Sequence, residues 1–265
     1  MYSSVEGIGD GGPRDGVTAP DFEDTRPSTK PMTDPSLQLA PTHTALRDDD
    51  EVVPAWRGLL HAYAFWLALA GAATLVALAP TRDARLAATI YGVALCALFA
   101  VSGLYHRWRW DPRWRPLLRR LDHSTIFLFI AASTTPIALL VLAGTAQTIV
   151  LLAAWLGAVA GIGMTVAWID APRGVVALSY IAVGCAVAIA LPELVARLPV
   201  APLALLAGGG LLYASGAAVY ATRRPDPWPR SFGFHEVFHC LVVVAAASHF
   251  IAMLVWVVPG AAVVQ

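Results

Sequence analysis

Seven predominantly apolar runs, each 21 to 25 residues long, fill the chain from Trp56 onward. They cover 57–79, 86–106, 122–142, 147–168, 174–195, 201–222 and 234–258. Roughly 20 apolar residues in a helix cross the hydrocarbon core of a bilayer. Backbone polar groups in lipid must be paired within the segment, so runs of this kind become helices. Breakers stand between them: Pro80, Asp111-Pro112, Gly144, Ala171-Pro172-Arg173, Pro199 with Pro202, and the Pro225–Pro229 string. The expected fold is all-α, a seven-transmembrane helix bundle. Composition agrees, with 57% hydrophobic and only 14% charged residues, which excludes an ordinary soluble enzyme.

The zero net charge is a cancellation. Residues 1–51 hold 11 acidic and 4 basic residues, a net −7, and the remainder holds 7 acidic and 14 basic, a net +7. Residues 1–55 are rich in Gly, Pro, Asp, Ser and Thr and end in the run Asp48–Glu51. Such a segment buries too little apolar surface to offset its ordering entropy. A disordered acidic tail over 1–55, followed by a membrane domain over 56–265, is expected. The basic residues lie between apolar runs rather than on a soluble face, so no nucleic-acid partner is expected and membrane lipids are. Cys96, Cys185 and Cys240 sit in apolar runs without CxxC spacing, which argues against disulfides or a thiolate metal site.

Arginine placement orients the bundle. Counted from Trp56 onward, with seven spans, 11 arginines fall on the side of the N-terminus and 3 (Arg82, Arg85 and Arg197) on the other. The N-terminus is therefore expected in the cytoplasm and the C-terminus outside the cell, in a multi-pass plasma-membrane protein. Trp56, Trp108, Trp110, Trp114, Trp168 and Trp228 fall on the inner side, as an interfacial belt.

Titratable groups inside a bilayer are costly and usually functional. Alternating topology brings His61, His106, Asp122, His123, His235 and His239 to one membrane level. His249 is about 15 Å deeper than His239. His235 and His239 are four residues apart and share a helix face. With His106 they supply three imidazoles and an open fourth position, the arrangement of a catalytic zinc site. Asp122 could hold a water there, or cap the helix it is expected to begin. Ser102 lies one turn from His106, as a site residue or as plain helix packing. His235–His239 also spells H-E-x-x-H, with Glu236 as base, as partner to a ligand, or as a helix-end charge. No suitable carboxylate follows Glu236, which weakens a protease reading. His61 and His249 suit structural roles, and His123, about 100° from Asp122 round the helix, suits a place behind the ligands or at a helix interface.

Several strings together resemble the hemolysin III family, bacterial relatives of the adiponectin and progestin receptors (PAQR) in a wider set that includes alkaline ceramidases. They are Ser102-Gly-Leu-Tyr-His106, Leu121-Asp122-His123-Ser124-Thr-Ile-Phe, Arg224-Pro-Asp-Pro-Trp-Pro, Phe234-His235-Glu236-Val-Phe-His239 and Ser248-His249-Phe250. The resemblance covers roughly residues 55–258. It implies a seven-helix bundle with one zinc near the cytoplasmic face, ligated by His106, His235 and His239. Asp122 would hold the zinc-bound water, and Ser102 would sit beside it and donate to an oxyanion. The family is linked to cytolysis by name, to lipid-related signalling and membrane-fluidity homeostasis, and in its ceramidase branch to amide hydrolysis. The chain departs from the pattern at Ser133-Thr134-Thr135-Pro136, where relatives often carry an aromatic residue before Thr-Pro, and in its acidic tail. A zinc-dependent lipid amide hydrolase and a non-enzymatic, receptor-like or cytolytic membrane protein with structural zinc both remain open.

Overall fold

The computed structural model describes residues 54–261; the expected tail, apart from its last two residues, lies outside them. Seven helices among the described residues are long and apolar enough to cross a membrane: α1 Leu59–Leu78, α2 Arg82–Arg107, α3 Arg115–Leu140, α4 Gly144–Ala167, α5 Arg173–Arg197, α6 Val200–Thr222 and α7 Phe234–Gly260. Each coincides with one of the apolar runs. There is no β-strand among the described residues, only an isolated bridge between Trp228 and Phe232.

Two helices begin a full turn or more before their apolar runs. α2 starts at Arg82 because Thr81 accepts the Ala84 N–H at 3.1 Å and caps it, and Asp83 suits the positive end of the helix dipole. α3 starts at Arg115, with Pro116 in its first turn, where the missing N–H is harmless. Its arginines are long enough to keep their charges at the interface while the backbone stays helical. Asp122 is thus about two turns inside α3. It does not cap the helix, and the basic segment 115–120 is helix rather than loop.

Proline also explains two irregular turns. In α5 the residues Cys185–Ala190 tighten to a 3-10 helix ahead of Pro192, which has no N–H for the Ala188 carbonyl. In α7, Met253–Val257 widen to a π turn just before Pro259. Within α3, Pro136 follows Ser133, Thr134 and Thr135, whose hydroxyls donate to the Ile130 and Ala131 carbonyls one turn back.

Consecutive helices pack side by side from α1 to α4 and again from α6 to α7, and α7 closes back against α1. Contacts are built on small residues, among them Ala84, Ala88, Ala131, Ala132 and Ala245, all fully buried. Small side chains let helices approach where lipid supplies no hydrophobic drive. A Cβ on Gly92 would stand 2.7 Å from the Ala72 Cβ, so α1 and α2 meet there only because the residue is glycine. Large side chains such as Trp66, Leu67, Val93, Leu178 and Leu211 remain exposed, as a lipid-facing surface requires.

Candidate metal centre

The end of α2, the first half of α3 and the start of α7 converge beside α1. His106 is the second-last residue of α2, and His235 and His239 occupy the first two turns of α7. One ring nitrogen from each of His106, His235 and His239 lies within 4.8 Å of the other two. His106 and His235 are half-buried and His239 is buried. Their closest approach is 3.2 Å, from His106 Nε2 to His235 Nε2. Two nitrogens about 2.0–2.1 Å from one tetrahedral zinc stand about 3.3 Å apart. Three imidazoles with no oxygen cage suit a borderline-soft ion rather than calcium or magnesium. The donor set and its spacing therefore fit the group.

Asp122 is buried, with Oδ2 at 3.5 Å from His106 Nε2 and 3.9 Å from His123 Nδ1. Ser102 is 4% exposed, one turn up α2 from His106. His61 is 2% exposed and stacks on His239, the ring centroids 3.9 Å apart. Neither of its ring nitrogens has a hydrogen-bond partner among the described residues.

The start of α7 is held firmly. Asp226 Oδ1 accepts the Phe234 N–H at 2.8 Å, and Glu236 Oε2 accepts the Gly233 N–H at 2.9 Å. The other carboxylate oxygen of Glu236 receives Arg57 Nε at 2.8 Å. Both oxygens of the H-E-x-x-H glutamate are therefore engaged with the helix end and Arg57. Of the three roles open to Glu236, the structure shows the helix-end one.

Residues 54–58 cross the same end of the bundle as a strap. The Ala55 and Trp56 N–H groups donate to the Arg230 and Ser231 carbonyls at 3.3 and 3.2 Å. Gly58, at φ 74°, passes directly over His106; a Cβ there would stand 2.8 Å from the His106 Cβ. That position requires glycine both for its left-handed backbone and for space. Arg57 and Gly58 are contributors that the sequence did not single out, whereas Asp226 stands in the Arg224-Pro-Asp-Pro-Trp-Pro string without an assigned role.

His123 turns from the cluster towards α6, with Nε2 at 3.3 Å from the Tyr220 hydroxyl and Nδ1 at 3.0 Å from the Arg119 carbonyl. His249 lies deeper, with Nε2 at 3.0 Å from the Leu206 carbonyl.

A cavity of about 620 Å³ extends from the cluster into the bundle. Its lining includes Ser102, Asp122, His235 and His239 at one end and Tyr213 and His249 at the other. It is otherwise mostly aliphatic and aromatic, and no Lys or Arg lines it. Cys185, Ala188 and Leu191 of α5 and Gly210 and Leu211 of α6 line it while also exposed on the outer surface. The chamber is thus bordered by the lipid-facing side between these helices.

Residues 51–250 match the family model described as "Haemolysin-III related". The chain belongs to the haemolysin-III related family. Haemolysin-III relatives include "Hemolysin-3" of Bacillus cereus, 31% identical over 181 residues, covering 68% of this chain and 80% of that protein. The "Hemolysin-3 homolog" of Bacillus subtilis (strain 168) is 29% identical over 170 residues, 64% of this chain and 76% of its own. A more distant haemolysin-III match is the human "Monocyte to macrophage differentiation factor", 28% identical over 200 residues, with 73% and 79% coverage. The matched region contains all the residues of the histidine cluster.

Proposed function

We propose that this haemolysin-III related protein is a zinc-dependent hydrolase of membrane lipid amides, with zinc held by His106, His235 and His239 near the cytoplasmic face of the plasma membrane. The observation that carries this reading is a three-imidazole cluster opening directly into a long apolar chamber. The arginine bias supports an N-terminus inside and a C-terminus outside; a C-terminal reporter active only in the cytoplasm would overturn that orientation.

A zinc bound by three histidines acts as a Lewis acid and lowers the pKa of water towards about 7. The chain's own groups do the rest. The chamber takes the lipid's hydrocarbon and leaves its amide beside Asp122 and Ser102. Asp122 accepts a proton from the attacking water as its oxygen bonds to the amide carbon. Ser102 Oγ–H donates to the oxygen on which negative charge develops. The proton held by Asp122 passes to the amide nitrogen as the C–N bond breaks, leaving a carboxylic acid and an amine. The strap covers the aqueous end, so substrate enters from the lipid side between α5 and α6. The arginines of 107–120 attract anionic headgroups to that surface.

The test is turnover of long-chain lipid amides by the purified, zinc-loaded full chain, with His239→Ala and Asp122→Asn as variants. Cleavage by wild type and its loss in both variants is expected. Full zinc content without cleavage of any lipid amide would instead support a structural centre in a receptor-like or cytolytic membrane protein.

A further inference from the structure

The far end of the chamber carries polar groups that the hydrolytic reading does not use. Tyr213 of α6 lines the chamber there, its hydroxyl enclosed and without a hydrogen-bond partner among the described residues. His249 faces it edge-on, with ring centroids 5.4 Å apart. The 3.0 Å contact from His249 Nε2 to the Leu206 carbonyl requires the proton on Nε2. Nδ1 of the neutral ring is then an acceptor. The contact depends on Gly209, since a Cβ at that position would run into the His249 ring. An unpartnered donor thus stands beside a histidine ring at the end of a mostly apolar space.

Unpaired buried polar groups are rare because each carries a desolvation penalty. The depth is set by α7. From His235 to His249 is 14 residues and nearly a whole number of turns, so both lie on one stripe roughly 20 Å apart. Val242 continues the stripe between them and also lines the chamber.

We propose that Tyr213 and His249 form a hydroxyl-binding subsite, and that the preferred ligand is a long-chain lipid amide with a hydroxyl group far along its hydrocarbon chain. Tyr213 O–H donates to that hydroxyl oxygen, and the ligand's own O–H donates to His249 Nδ1. A ketone accepts only and leaves His249 unmatched. A terminal carboxylate is excluded because no Lys or Arg lines the chamber to offset its burial. The proposal rests on the chamber being the lipid site and is independent of catalysis.

Binding to the purified full chain in detergent tests it. The probes are stearoyl ethanolamide and two hydroxystearoyl counterparts, hydroxylated near the amide or in the distal half of the chain. Wild type is expected to bind the distal isomer about tenfold more tightly than the other two, the ratio that one such hydrogen bond supplies. Tyr213→Phe should lose that preference, keep its affinity for the plain amide and melt no lower than wild type. Tyr91→Phe is the control: its hydroxyl is also buried and unpartnered, but Tyr91 does not line the chamber. This variant should keep the preference. Equal binding of all three amides by wild type, or a preference that survives Tyr213→Phe, overturns the subsite and leaves the chamber reading standing. Failure of all three amides to bind overturns both.

Discussion

Replacing His106 with alanine removes the one imidazole that α2 brings to the pair on α7. The two remaining nitrogens belong to one helix face, and His235 loses its neighbour at 3.2 Å. A structural zinc site is worth about 10–16 kcal/mol, or about 2.5–4 kcal/mol for each of four ligands, so one lost histidine should weaken binding by roughly two to three orders of magnitude. The fold should also suffer, because Asp122 loses its polar neighbour at 3.5 Å. An unpaired buried polar group costs about 1–3 kcal/mol, more when charged. The assay is elemental analysis of protein purified and dialysed against a weak chelator, with thermal melting in parallel. Wild type should hold about one zinc per chain. His106→Ala, His235→Ala and His239→Ala should lose it and melt lower. Asp122→Asn should keep most of it, because the proposed ligand set of His106, His235 and His239 does not include this side chain. Undiminished zinc in His106→Ala would mean that α7 binds metal alone, and would refute a centre shared between helices.

Glu236→Gln should retain zinc but lose roughly 1–3 kcal/mol of stability, because Arg57, with its side chain only 18% exposed, is left without its counter-charge. Cleavage lost at unchanged melting temperature would return Glu236 to the role of base. Gly58→Ala should destabilise by about 1–3 kcal/mol, from the left-handed backbone at φ 74° and the collision with His106; an unchanged melting curve would show that the strap yields easily. Deleting residues 1–50 should leave a folded, zinc-binding protein, since their composition builds no core. Loss of monodisperse protein in detergent would show that the tail packs on the bundle.

Seven spans were legible in the chain because a hydrocarbon solvent admits so few backbone solutions. Length and polarity alone then locate each helix to within a few residues, except where Thr81 and Pro116 extend α2 and α3 beyond their apolar runs. The level of the candidate site was legible for the same reason. Alternating direction turns positions along a one-dimensional sequence into depths, and depth brings His106, Asp122, His235 and His239 to one end. Rotation about each helix axis was not legible, since with lipid on one side and helices on the other the apolar residues run all round. Packing alone decided that His61 stacks on His239, that His123 turns to Tyr220 and that Glu236 meets Arg57 from a segment 179 residues away. The chamber belongs wholly to the tertiary structure. It is the space left where α5, tightened ahead of Pro192, and α6 stand beside α3 and α7, and no single run of sequence encodes a gap between helices.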